Sequence, residues 1–177
     1  PYTTLFRSIK DGKLNTNNSV VANNITSGIL TNSMLSTSAG ELGGAWNTWS
    51  PTLTNITQGN GTVVARYFNQ GKTVHFSFKF TMGSTSSMGT APRFSLPFSA
   101  NTNYDGTNHI VGRAICVDSG VATYHSIGLL ANSYADVLFR YESISGSIIT
   151  NTGISSTAPF TWGTNDYILI SGTYERA

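Results

Sequence analysis

Charge is scarce in this chain. Lys, Arg, Asp and Glu together make up 10% of 177 residues, where about a quarter is usual. Such a chain stays in solution through hydroxyls and amides, which suits extracellular or virion β proteins better than cytosolic enzymes. The formal net charge is +2, and it reflects few acids rather than a basic patch. Lys and Arg are scattered, so nothing tracks a phosphate backbone and nucleic-acid binding is disfavoured. Cys116 is the only cysteine, which excludes an internal disulfide and any Cys-x-x-Cys site. It runs in step with Ile110 and Ala114 and reads as a small buried hydrophobe rather than a reactive thiol. No apolar run is long enough for a membrane-spanning helix. His75, His109 and His125 form no His-x-His or His-x-x-x-His pair, so the sequence offers no zinc site. Gly-x-Ser-x-Gly, the P-loop and Gly-x-Gly-x-x-Gly are all absent. No cofactor is implied.

Acids are too few to make catalysis easy. Glycoside hydrolysis needs two carboxyl groups about 5–9.5 Å apart, and the chain has 8 acids in all. Asp136 and Glu142 share one strand face, but six residues of strand separate them by about 20 Å. Asp105 and Asp118 flank another strand at a larger separation. A pair assembled across strands stays open. The chain is therefore read as a non-enzyme, with a polysaccharide depolymerase as the less favoured alternative.

What is abundant is strand signal. Val74, Phe76, Phe78, Phe80 and Met82 alternate with Thr73, His75, Ser77, Lys79 and Thr81. A period of two puts the five large apolar side chains on one face of a strand. His75 falls on the polar face and is expected in solvent. The preceding arm, TVVARYFN, meets this strand through Asn69-Gln70-Gly71-Lys72, where Gly71 can take the positive φ of a short hairpin loop. Further strands are expected at 51–57, 92–98, 109–117, 121–130, 135–142, 159–162 and 166–175. Many short strands separated by Gly/Asn turns predict an all-β fold, an antiparallel β-sandwich or jelly-roll-like domain over residues 46–177.

The N-terminal part reads differently. PYTTLFRS is the in-frame translation of a short-read sequencing adapter, and no initiator Met precedes it. Residues 1–8 therefore read as a scar rather than a natural loop, and upstream sequence is expected to be missing. Residues 9–45 form a thin stalk or a disordered linker. Val20, Ile25, Leu30 and Leu35 recur every five residues, which fits neither a heptad nor a simple strand. A segment this thin buries such residues only against copies of itself, so a trimeric stalk is the preferred reading. TNSMLSTSAGELGG has room for one short helix ending at Gly43.

An ordered set of short motifs lies beyond it. Trp46-x-x-Trp49-Ser-Pro-Thr-Leu-Thr-Asn55 comes first. Gly59-Asn60-Gly61-Thr62, Ala65-Arg66-Tyr67 and Gly71-Lys72-Thr73-Val74 follow. Gly83-Ser84-Thr85-Ser86, Phe94-Ser95-Leu96-Pro97, Pro159-Phe160-Thr161-Trp162 and Gly172-Thr173-Tyr174-Glu175 complete it. In these motifs the chain resembles the C-terminal domain of bacteriophage minor tail and tail-fibre proteins, over about three quarters of its length. The resemblance implies a virion tail component, a homotrimer attached to upstream tail proteins, that takes part in host attachment. It brings no receptor residues, and 99–150 departs most from the pattern. Trp46 and Trp49 read as a plug at the barrel base or subunit interface more readily than as a ligand grip.

Two functional classes compete. One is a module that binds a bacterial surface glycan or receptor without cleaving it. The other is a purely structural trimeric tail protein. For the first, Tyr104, Asp105, Asn108 and His109 are the candidate ligand-binding residues, because one loop offers a ring face, a carboxylate and amides. Simple strand alternation puts this loop at the stalk end. The opposite end then carries 57–61, 83–91, 118–120 and 143–158, rich in Gly, Ser, Thr and Asn.

Overall fold

A computed structural model of the chain describes residues 45–131 and 133–177. The readings of the adapter-like start, the stalk or linker up to residue 44 and the helix ending at Gly43 lie outside the described residues. Among the described residues there are ten strands: β1 (Asn47–Thr48), β2 (Leu53–Thr57), β3 (Thr62–Gln70), β4 (Thr73–Thr81), β5 (Ser87–Ser95), β6 (Ile110–Asp118), β7 (Ala122–Ala131), β8 (Asp136–Ser145), β9 (Ile148–Gly153) and β10 (Tyr167–Glu175). Among the described residues there is no helix, and so none long and apolar enough to cross a membrane.

All pairings are antiparallel, and one ladder joins the strands in the order β1-β3-β4-β10-β6-β7-β8-β5-β2, with β9 on β8. The two edge strands belong to one stretch of chain. Asn47 pairs with Tyr67 on β3, while Leu53 pairs with Phe94 on β5. Between them Trp49 N–H donates to the Ala65 carbonyl at 3.2 Å, and Ser95 N–H donates to the Thr52 carbonyl at 2.9 Å. Residues 47–57 therefore bridge the two ends of the curled sheet. Pro51 sits at the crossing, where a missing N–H removes no ladder bond. Trp49 fills this seam, donating its indole N–H to the Ser95 carbonyl at 3.1 Å and meeting Tyr67 edge-on.

The curl brings β4 over β5. Phe78 stacks on Phe94 with centroids 4.2 Å apart and planes 4° apart, and Phe94 reaches Phe139 of β8 at 5.3 Å. Val74, Phe76, Phe78 and Phe80 are all buried, as their alternation predicts. Cys116 is buried too, its Sγ 3.1 Å from Ser126 Oγ, and burial pushes its thiol pKa up to about 12. That leaves almost no nucleophilic thiolate near neutrality.

Several expectations need correction. His75 is half-buried: its ring stacks on Phe68 at 4.4 Å, and Nδ1 lies 3.0 Å from Thr173 Oγ1. Residues 159–162 form no strand. Phe160 is instead a buried plug, and the Trp162 indole donates to the Ser155 carbonyl at 3.0 Å. β5 begins at Ser87 rather than 92, because the positive φ of Ala91 and the bulge at Asn55 kink the β2–β5 ladder without ending it. β9 is absent from the sequence-based expectation.

Candidate functional site

The loop between β5 and β6 brings Tyr104, Asp105, Asn108 and His109 together. Its foot is clamped to the end of β10. Asn101 N–H donates to the Glu175 carbonyl at 2.8 Å, and Ala177 N–H donates to the Ser99 carbonyl at 3.0 Å. Tyr104 continues the clamp, since its hydroxyl accepts from Glu175 N–H at 3.0 Å. The Tyr104 ring stacks on His109 at 4.1 Å and 20°. One ring face is thus taken by a neighbour from the same loop. Tyr134 packs against Gly106, where an added Cβ would lie 3.0 Å from its ring.

Asp105 organises the loop from within. Its Oδ1 accepts from Thr107 N–H at 2.9 Å, Thr107 Oγ1 at 2.8 Å and Asn108 N–H at 3.2 Å. Asn108 Nδ2 approaches Oδ2 at 3.4 Å. These donors, the Thr107 N–H foremost, lower the carboxyl pKa from 3.8 to about 2 although the group is fully exposed. The folded pKa is below the unfolded one, so the turn's stabilisation is complete above about pH 4 and disappears as pH falls through about 2. Carboxyl chemical shifts followed by NMR should titrate with a midpoint near 2. A midpoint near 4 would mean that the turn does not hold the carboxylate.

Strand register fixes where the loop lies. Asn47 pairs near the Gln70 end of β3, and Gln70 pairs with Thr73 next to the end of β10. The described chain therefore enters at the same end as the 101–109 loop, as strand alternation predicts. The opposite end is built from loops that grip one another. Asn60 Oδ1 accepts from Thr85 N–H and from Thr85 Oγ1, each at 3.0 Å, and Asn60 Nδ2 donates to Ser84 Oγ at 3.1 Å. Ser86 Oγ donates to the Gln58 carbonyl. Nearby, buried Asp166 accepts from Ser119 N–H at 2.8 Å and from Gly163 N–H at 2.6 Å. The polar groups of 58–61 and 83–86 thus serve loop-to-loop contact. No local pattern announces this pairing, because its partners are 25 residues apart.

Among the described residues no group of three His, Cys, Asp or Glu could hold a metal ion. Comparison with protein-family models, curated proteins and solved structures finds no match.

Proposed function

We propose that residues 46–177 are the C-terminal host-attachment module of a bacteriophage tail protein, which binds a bacterial surface glycan and does not cleave it. In this reading the curled sheet is a jelly-roll-like sandwich, carried as a homotrimer on residues 9–45 and joined to upstream tail proteins. The observation that carries it is the interlock of Asn60 with Ser84 and Thr85. Two motifs that carry the phage-tail resemblance, Gly59-Asn60-Gly61-Thr62 and Gly83-Ser84-Thr85-Ser86, meet there in one contact. That contact supports reading the two motifs as parts of one structural unit.

The 103–109 loop is the glycan site in this reading. Asp105 and Asn108 are exposed, while the Tyr104–His109 stack gives the loop a rigid aromatic base. The second reading, a structural tail component that holds no glycan, is favoured by the internal use of Asp105 and by the loop-to-loop bonds at the other end. Light scattering should give the mass of three chains, and a stable monomer at micromolar concentration would refute the trimer. Fluorescent protein should bind bacterial cells or extracted surface glycan. Tyr104→Ala and Asp105→Ala should each weaken that binding at least about tenfold, a loss of about 1.4 kcal/mol, while the trimer mass is kept. Unchanged binding in both variants would remove the loop from the account.

A further inference from the structure

We propose that the outer face of the sheet carries a groove for an acidic saccharide, with Arg113 holding the sugar's carboxylate and His125 at the groove's centre. The inference rests on the attachment-module reading and adds a ligand class and a second site to it.

The groove exists because two strands part. The β7–β8 ladder runs from Ala131↔Asp136 to Ser126↔Tyr141 and stops there. Beyond that point residues 122–125 pair only with β6, and residues 142–145 pair only with β9. Two strand edges are left facing a gap with backbone groups that the ladder does not use. The gap is a hollow of about 300 Å³ lined by Thr123, Tyr124, His125, Glu142, Ile144 and Ile149. A second hollow of about 170 Å³ adjoins it through His125, with Arg113, Ile115, Leu169 and Ser171 among its walls. Register places these last residues on one face: Ser171 pairs with Arg113, Leu169 with Ile115, and Ile115 with His125. That is the face opposite the Phe78 core, since Ile170 is the residue paired with Phe78.

The lining has the mixture that sugars need. Apolar surface receives the C–H faces of a pyranose, and directional polar groups receive its hydroxyls. Ile144 and Ile149 are 79% and 68% exposed, and with Ile115 and Leu169 they supply the first. Thr123, Ser171, His125 and the free strand edges supply the second.

Charge selects the class of sugar. Arg113 is exposed, and its neighbours across the ladder are Ser171 and Ile127, neither of them acidic. The next residue in that row, beyond Ile127, is Arg140. A guanidinium fork matches a carboxylate in shape as well as charge. Glu142 stands in the other hollow and would repel a second acid there while accepting from hydroxyls. The polarity sets a direction, with a uronate at the Arg113 end and a neutral sugar at the Glu142 end.

The test is a printed panel of uronate-containing bacterial oligosaccharides, each beside its carboxyl-reduced form, probed with the full chain. The uronate forms should bind at least tenfold more tightly than the reduced forms, and Arg113→Gln should erase that preference. Arg66→Gln, a charge change on the same face two strands beyond β10, should leave it intact. Reduced forms that bind as well as their parents, or an Arg113→Gln variant that binds like the parent, would overturn the groove. Loss of binding in Tyr104→Ala but not in Arg113→Gln would overturn it too, while leaving the attachment reading in place. No binding to any printed saccharide would overturn the groove, while the attachment reading stands or falls with binding to whole cells.

Discussion

Replacing Phe78 with Ala is expected to cost about 3–5 kcal/mol, the range for emptying a fully buried aromatic site. Phe78 has no exposed surface and stacks on Phe94 at 4.2 Å, with Phe139 at 6.0 Å. It thus ties β4 to β5 and β8, two neighbouring strands remote from β4 in the ladder order. The removed ring leaves a cavity walled by other rings that are themselves held by the sheet, so collapse is limited. Neighbouring Ser77, on the other face of the same strand, is the control, and Ser77→Ala should stay within about 0.5 kcal/mol. Denaturant unfolding at fixed protein concentration measures both, with the midpoint falling and the slope unchanged. A loss under about 1 kcal/mol for Phe78→Ala would contradict the packed aromatic core.

Gly172→Ala is the second large effect. A Cβ at Gly172 would lie 2.0 Å from the Val111 carbonyl oxygen, 2.8 Å from Gly112 Cα and 2.9 Å from the Phe76 ring. Gly172 and Gly112 are register partners, so β10 and β6 face each other there with no side chain on either strand. Relief requires the backbone to move, which puts the cost at or above the upper end of the about 1–3 kcal/mol typical of overpacking. Gly128→Ala is a useful contrast. There the added carbon would meet Ile170 Cδ1 at 2.3 Å and Val137 Cγ1 at 2.6 Å, buried side-chain methyls that give way at less cost than a backbone carbonyl. The same unfolding measurement should rank Gly172→Ala as the more damaging. The reverse order would contradict the close β6–β10 approach.

Most of the strand framework was legible because burial leaves a pattern. β4 announces itself, since one face must be apolar and the other not. β9 does not, and the reason is physical. Ile148 and Ile149 are adjacent and both largely exposed, so the ribbon buries neither face and selection for alternation is absent. Pro159-Phe160-Thr161-Trp162 misleads in the opposite sense, because its aromatics suit a strand while their role is to plug. The number of sheets was not legible either, since it depends on residues 47–57 pairing with two strands distant in sequence. The 103–109 loop was readable as an exposed polar turn. Its tie to Glu175, through a hydroxyl 71 residues away, was not. The outer groove was the least legible feature, because register alone gathers Arg113, His125 and Leu169 from three strands.

Glycan-dependent attachment is tested most directly on whole cells. Fluorescent protein is applied to a panel of bacterial strains before and after mild periodate oxidation, which opens surface sugars and spares most protein. The account predicts saturable binding to at least one strain and its loss after oxidation. Binding that survives oxidation unchanged, or no binding to any strain by an intact trimer, would contradict it.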